Sequence, residues 1–515
     1  MGAVRRVLSN PSRPEPGSIP SLSELVERFL SWAEKSLAHR PVWLFSVCGA
    51  AILQLMLILT HRPWDDEWQA LLIARQTPTL ASMFAQLHYE GHPQLWYLLL
   101  RGVGTLVPPR WILPTINIIL AGTVYWAILT RSPFRRVEQL LLLLSEILLF
   151  EMLSVSRSLS LGVALIFVAL ALWKSRSAWL ALALLPPCDF FFGVIGCALI
   201  AIRLRDRRDQ QVPYFGLALF VVSSFIAASA VVPAKDVITG PARGLSFGIV
   251  DFARQIGTLV LPWQTKGPVP MWNRPAPVFI GLMLAPVFIW LCARSLRSDR
   301  MAQWLLFGFI GILLLFSGAI YPIYFRHTTL AAFLLIAFVW ISAGKGGEPD
   351  QFFSAWLLIG ALCGIATAIT NLLIPFDTAG KAATVIRQQR LEKRLWFSYP
   401  AYWGVSLAAE SGMRLGDIEQ DCGFQFMRWN FRSEIKEFPQ LYAALRAAQS
   451  RHGSFYLVTA IKEPLPPDLA RKVAKIPAGY DGIEYNLWKI GDGAVGNEAL
   501  RPCVPNLPQW QGIAL

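Results

Sequence analysis

The sequence predicts a polytopic α-helical membrane protein closed by a small α/β domain, and three observations carry that prediction. Of 515 residues, 54% are apolar and 16% charged, against about 25% charged in an ordinary soluble domain. Runs such as Leu282 to Ala293 and Leu305 to Phe316 are apolar on every side, whereas strands of an outer-membrane barrel alternate apolar and polar residues. From about Asp377 onward the chain changes to short apolar strands alternating with amphipathic helices. A soluble enzyme and a charge-rich disordered chain are both excluded, and the mean hydropathy of +0.45 agrees.

Residues 1–40 carry prolines and mixed charge, with no early apolar core ahead of a small-residue cleavage site, so they read as a cytoplasmic segment and not as a cleaved signal peptide. Arg5, Arg6, Arg13, Lys35 and Arg40 precede a first span at Pro41 to Thr60, and such basic flanks stay inside. That span has about the ~20 residues a bilayer core requires. Further spans are expected at 93–107, 111–130, 138–155, 158–173, 178–201, 213–233, 276–296, 302–319, 327–343 and 352–374, about eleven in all within residues 41–374.

Alternation across these spans places the basic loops at 203–208 and 294–300 inside and the tail outside. It also places Arg131, Arg135 and Arg136 outside, against the charge rule, so the topology of 93–175 stays open. The net charge of +14 divides into +3 for residues 373–515 and +11 for residues 1–372. The excess sits in short clusters between apolar runs, including Arg203, Arg205, Arg207 and Arg208. It is a topology signal, and nucleic-acid binding is not supported.

Two extracytoplasmic loops are long, 61–92 and 234–275, and loops of that size are usually functional or disordered. The second carries Lys235, Asp236, Arg243, Asp251, Arg254 and Lys266, with one interfacial helix near Phe247 to Leu261. The tail, 375–515, reads as a helix at Thr378 to Leu391, a strand at Arg394 to Tyr399 and a helix at Tyr402 to Glu410. A strand at Phe424 to Trp429, a helix at Phe438 to His452 and a strand at Ser454 to Ala460 follow, then a helix at Pro467 to Ile476 and a strand at Tyr485 to Ile490. That alternation argues for an α/β layer domain. Cys422 and Cys503 are the only cysteines in it, and an extracytoplasmic tail would let them pair.

The first long loop opens His61-Arg62-Pro63-Trp64-Asp65-Asp66-Glu67-Trp68 and closes His88-Tyr89-Glu90-Gly91-His92-Pro93-Gln94-Leu95-Trp96-Tyr97. Acids in a first helical turn are favoured by the helix dipole, which is the bland account of the first group. Glu67 to Arg75 and Leu80 to Leu87 read as two interfacial helices that return a second acid and imidazole group to the membrane surface near the first.

This loop resembles that of the integral-membrane glycosyltransferases of the GT-C fold. These include the protein O-mannosyltransferases, the aminoarabinose transferases that modify lipid A, and uncharacterised bacterial relatives. An Asp-Glu pair follows the first span, two interfacial helices follow the pair, and an acid stands two residues ahead of His-Pro and Leu-x-Tyr. Phe150 to Gly162 is similar to that branch's pattern of an aromatic-acid pair followed by Ser-Arg, with Met152 and Leu159 replacing the usual aromatics. Arg326-His327 ahead of a late span and Asp377 to Ile386 at the tail's start extend the likeness.

The resemblance implies a bacterial cytoplasmic-membrane enzyme that takes a sugar from a polyprenyl-phosphate donor. Asp66 is then the base, Glu67 its partner and Glu90 the second acid, with a glycan, lipid or protein as acceptor. Asp65 and His92 stand beside them as substrate contacts.

The residues fit that chemistry without the family. A base must take the acceptor's proton, typically worth 10²–10⁴-fold, and cations must meet the departing phosphate. Arg157, Arg326 and His327 are the candidates for the second role, and Arg157 can equally pair with Glu151 or Glu146 inside the bundle. His61, His88 and His92 with Glu90 and Asp66 are the residues a divalent ion would use, although their spacing matches no ligand motif. Two rival functions remain open, a transporter or flippase for a lipid-linked glycan and a non-catalytic assembly subunit for polysaccharide export.

Overall fold

A computed structural model describes residues 22–206, 214–237, 245–263, 278–430, 435, 437–461, 463–497 and 500–504. Arg5, Arg6, Arg13, Arg207, Arg208, Arg243 and Lys266 lie outside the described residues. The described residues begin with α1 (Leu22–Ala38) and α2 (Arg40–Thr60), then α3 (Asp65–Gln76), α4 (Leu80–Glu90) and α5 (Leu95–Val103). Next come α6 (Pro109–Arg131), α7 (Arg136–Leu144), α8 (Ser158–Ala171), α9 (Ala178–Ala183), α10 (Phe190–Asp206) and α11 (Tyr214–Val231). The helical part closes with α12 (Leu245–Thr258), α13 (Val278–Ser295), α14 (Arg300–Ala319), α15 (Phe325–Ala343) and α16 (Gln351–Leu373).

Among the described residues, six helices are long and apolar enough to cross a membrane by length and composition: α2, α6, α11, α14, α15 and α16. They divide by environment. The apolar stretch of α15 is 89% buried and forms the centre, whereas those of α2 and α11 are only 22% and 17% buried. Leu44, Phe45, Phe215, Val222 and Phe225 point outward from these outer helices, a surface suited to hydrocarbon rather than water.

The other five expected spans are shorter or interrupted, so the count of eleven full crossings is not reproduced. The run 93–107 yields only α5, whose nine residues rise about 13 Å at 1.5 Å each. The run 138–155 breaks at Ser145 into α7 and a six-residue π-helical turn, Ile147–Met152. There α16 crosses so closely that a Cβ at Gly364 would lie 2.1 Å from the Leu144 carbonyl oxygen. The run 178–201 breaks into α9 and α10 at Pro186-Pro187, which donate no backbone hydrogen bonds. The runs 158–173 and 276–296 give α8 and α13, apolar helices of 14 and 18 residues.

The short α5 also removes the conflict over Arg131, Arg135 and Arg136. Arg136 donates to the Leu37 and Ala38 carbonyls at 2.7 and 3.0 Å, so this turn shares the end of the bundle where α2 begins. The same class of contact recurs between other turns, as Arg205 pairs with Asp299 at 2.5 Å, Lys345 with Asp206 at 2.6 Å and Arg294 with Asp350 at 3.3 Å. We call this the basic end. The second long loop contains α12 as expected, but α12 packs into the bundle instead of lying on its surface. Phe252 and Ile256 are buried, and a Cβ at Gly257 would lie 1.7 Å from the Gly281 carbonyl oxygen of α13.

The tail contains α17 (Ala379–Gln388), β1 (Trp396–Tyr399), α18 (Val405–Ser411), β2 (Leu415–Asp417) and β3 (Cys422–Phe424). It continues with α19 (Phe438–His452), β4 (Phe455–Thr459), β5 (Ala470–Ile476) and β6 (Tyr485–Ile490). The sheet runs β3-β2-β1-β4-β6-β5, with β1 parallel to β2 and β4 and the remaining pairs antiparallel.

Two expectations are corrected here. Pro467 to Ile476 is not a helix; Ala470–Ile476 is an edge strand on β6, where Lys472 sits 4.5 Å from the Trp488 ring centre and Lys475 pairs with Glu484 at 3.0 Å. Lysines suit an exposed edge, and a short mixed pattern takes the structure its neighbour offers. Phe424 to Trp429 is not a strand either, since β3 ends at Phe424 and the chain leaves the sheet to reach α3 and α4. Cys422 and Cys503 form a disulfide.

Candidate functional site

The end of the bundle opposite the basic end gathers His61, α3, α4, the turn before α8, the start of α15 and the tail. Three acids open α3, and at about 100° per residue they leave the helix in three directions. Glu67 turns inward and is fully buried. Its carboxylate accepts from the Trp64 backbone N at 3.2 Å and the Ser156 backbone N at 2.6 Å, and lies 2.7 Å from His61 Nε2. It thereby closes the first turn of α3 and fixes that helix against the turn carrying Arg157.

Asp66 faces the arginines. Its Oδ2 accepts from Arg157, which caps α8, and from Arg326 at 3.3 Å in the first turn of α15. Both guanidiniums lie over the Trp64 ring, at 5.9 and 5.8 Å from its centre, a stacking that weakly hydrated guanidinium favours. The Asp66 side chain is 36% exposed while those of Arg157 and Arg326 are 13% and 8% exposed, so the carboxylate is the open member of the group. Burial alone would raise the Asp66 carboxyl, but Arg157 and Arg326 outweigh it and hold it below the usual carboxylate range. The partner of Arg157 is therefore Asp66 rather than Glu151 or Glu146.

His92 Nδ1 lies 3.4 Å from Asp189 Oδ2 at the start of α10, and its field also reaches Asp66. His327 Nδ1 accepts from the Tyr324 backbone N at 3.2 Å, and its ring meets Phe191 at 6.0 Å.

Glu90 ends α4. Gln69 Nε2 donates to its Oε1 at 2.9 Å. Burial pushes the Glu90 carboxyl up to about 8; Gln69 opposes that shift and the nearby Asp66 charge adds to it. Asp66 and Glu90 thus share one electrostatic environment that drives them apart, one ionised and one neutral at pH 7. Such a split is how a site acquires a base and a proton donor from two carboxyl groups.

Asp65 points to the tail, where its Oδ1 accepts from the Ser406 backbone N of α18 at 3.1 Å. Burial and the neighbouring Asp377 raise its carboxyl well above the ordinary range. Burial pushes Asp377 up to about 7, and burial with Asp377 raises Asp481 likewise. Asp65 therefore belongs to a seam between the helices and the tail, not to the substrate surface expected of it.

The tail also covers Glu90, through residues that sequence reasoning missed. The Gln69 amide pairs with both backbone groups of Met427, accepting from its N at 2.9 Å and donating to its O at 2.8 Å. Arg428 lies 4.1 Å from the Tyr89 ring centre and donates to its hydroxyl, which in turn donates to Asp236 Oδ1 at 2.8 Å. Asn430 donates to Asp236 Oδ2 at 3.2 Å. Nothing local in the sequence marks these partners, because Gln69 and Met427 are 358 residues apart.

The three loop histidines do not converge. His61 contacts Glu67, His88 Nδ1 contacts the Val232 carbonyl at 2.7 Å, and His92 contacts Asp189. Among the described residues no group of three or more His, Cys, Asp and Glu side chains is placed to hold a metal ion, so the divalent ion considered from the sequence has no donor set there.

No protein-family model and no curated protein sequence matches the chain.

Proposed function

We propose that the protein is an inverting membrane glycosyltransferase that moves a sugar from a polyprenyl-phosphate donor to an acceptor hydroxyl, with Asp66 as general base. The observation that carries this reading is an open carboxylate backed by two nearly buried arginines on one tryptophan, beside a carboxyl group held neutral. Asp66 serves as counter-ion to Arg157 and Arg326. A donor phosphate takes over those guanidiniums and releases Asp66 toward the acceptor.

The acceptor oxygen then forms a bond to the anomeric carbon as its proton passes to Asp66. The bond from that carbon to the phosphate oxygen breaks, and polyprenyl phosphate leaves with the electron pair, its charge met by Arg157 and Arg326. Neutral Glu90 can donate a hydrogen bond to a substrate oxygen. One displacement with no enzyme nucleophile inverts the anomeric centre.

The same reading places the protein in a bacterial cytoplasmic membrane, with the basic end cytoplasmic and the tail extracytoplasmic, where a disulfide persists. The shortened helices α5, α7 to α10 and α13 then complete a GT-C-like bundle around the six long ones. The test is transfer of radiolabelled sugar from synthetic polyprenyl-phosphate donors by purified protein, wild type against Asp66→Asn. Robust transfer by the variant removes Asp66 as base; no transfer by wild type from any of several donors favours a flippase or an assembly subunit.

A further inference from the structure

The helix α1 has three faces instead of two. At about 100° per residue, Val26, Leu30, Ala33 and Leu37 share one face, and Leu30 and Leu37 are buried against the bundle. On the adjoining face Leu25, Phe29 and Trp32 are 48%, 43% and 64% exposed. Glu24, Glu27 and Ser31 occupy the far side. The apolar arc is therefore about twice as wide as the part the protein covers.

The helix cannot turn that arc away. Glu34 Oε2 accepts from the Val137 backbone N at 2.9 Å, and Arg136 holds the Leu37 and Ala38 carbonyls one turn further along, so the C-terminal end of the helix is pinned to α7. Only His39 separates α1 from α2, whose outward face likewise exposes Val42, Leu44 and Phe45. That face belongs to one of the six helices with the length and composition of a membrane span. Arg28 and Lys35, one turn before and one turn after Trp32, stand on the border between the exposed arc and the polar side.

We infer that α1 lies in the plane of the membrane surface at the basic end, with Leu25, Phe29 and Trp32 among lipid acyl chains and Arg28 and Lys35 at anionic headgroups. A polar side facing water, an apolar arc facing lipid and cations at the boundary are the features of an interfacial helix. The second half of the arc is what lipid covers, and the bundle covers the first. Helix α1 is thereby a surface anchor rather than a segment extending into the aqueous phase, and this holds whatever the site at the opposite end catalyses.

The test uses the full chain in nanodiscs of phosphatidylglycerol and phosphatidylcholine, with the photoreactive residue benzoylphenylalanine placed singly at positions 25, 29, 32, 27, 31 and 45. Position 45, on the outward face of α2, is the lipid-facing reference, and a single monodisperse peak on size exclusion shows that each nanodisc preparation is folded. Crosslinks to phospholipid at 25, 29 and 32 comparable to those at 45, with background yield at 27 and 31, are expected. Crosslinks at 25, 29 and 32 to protein, or none while 45 reacts, would overturn the inference.

For the headgroups, each cation near an anionic surface contributes about 1 kcal/mol, roughly five-fold. Phosphatidylglycerol should therefore be favoured over phosphatidylcholine at position 32, and Arg28→Glu with Lys35→Glu should abolish that preference. Equal capture of both lipids by the unaltered helix would overturn the headgroup assignment.

Discussion

Asp65 and Asp66 are consecutive residues in one helical turn, yet they sit in regions of opposite character. Asp66 meets two guanidiniums, which hold its carboxyl below the usual range, while Asp65 meets Asp377 and Asp481 in a buried seam, where burial and Asp377 raise its carboxyl well above that range. Burial acts on both in the same direction. The difference is the sign of the neighbours, and it shows that burial of a carboxyl near a membrane does not by itself determine its protonation. The arginine region is suited to receive an anion, and the acidic seam is suited to join two bodies without leaving charge inside them.

The sharpest way to break the comparison is to remove each charge in turn. Asp66→Asn is expected to lower sugar transfer by about 10²–10⁴-fold, whereas Asp65→Asn mimics the neutral acid and should leave transfer within a few-fold of wild type. Equal losses in the two variants, measured by radiolabel transfer in membranes, would erase the distinction.

Next in size is the arginine pair. Arg326→Ala should reduce transfer by about 10²-fold, and Arg326→Lys should restore only part of it, because an ammonium lacks the planar face that lies over Trp64. Full rescue by lysine would show that charge alone is needed.

The third prediction concerns pH. Asp377 has a folded value of about 7 against an ordinary value of 3.8, so the docked tail favours its neutral form. Its contribution to docking is full below the ordinary value, declines as the pH rises past it, and is lost as the pH passes through about 7. Protease resistance of the tail in reconstituted protein should therefore be greater at pH 5 than at pH 8, on the order of the range over which these groups ionise. Asp377→Asn should flatten that difference. Increased resistance on going to alkaline pH would contradict the seam as described.

On the other side of the site Glu90 titrates at about 8, so transfer that depends on its neutral form should fall above that pH. The smallest effect is expected from Gln69→Leu. Loss of the amide removes the hydrogen bond that opposes the rise at Glu90, which moves the alkaline limb of the pH profile upward. It also weakens tail docking by about 1 kcal/mol per lost hydrogen bond. An unmoved limb in a kcat/KM profile would separate Gln69 from Glu90.

What the sequence alone determined about this protein follows from local composition. Runs of apolar residues mark the bundle, the change at Asp377 marks the tail, and an acidic group in a chain with few charges marks the site. Helix Phe438–His452 and strand Tyr485–Ile490 were legible to the residue, because their apolar patterns agree with the packing around them. The strand at Ala470–Ile476 was not, since its pattern is ambiguous until β6 lies beside it.

Only the tertiary structure decided where each acid of α3 goes, because three neighbours on a helix point about 100° apart and their partners are remote. Arg157 is 91 residues from Asp66, Arg326 is 260 residues from it, and Ser406 is 341 residues from Asp65. The length of a helix was likewise beyond composition at α5, α7 and α9, where apolar runs are interrupted by prolines, a π-helical turn or a close helix crossing. An apolar run records a preference for burial, and the geometry of its neighbours sets how far it continues as a helix.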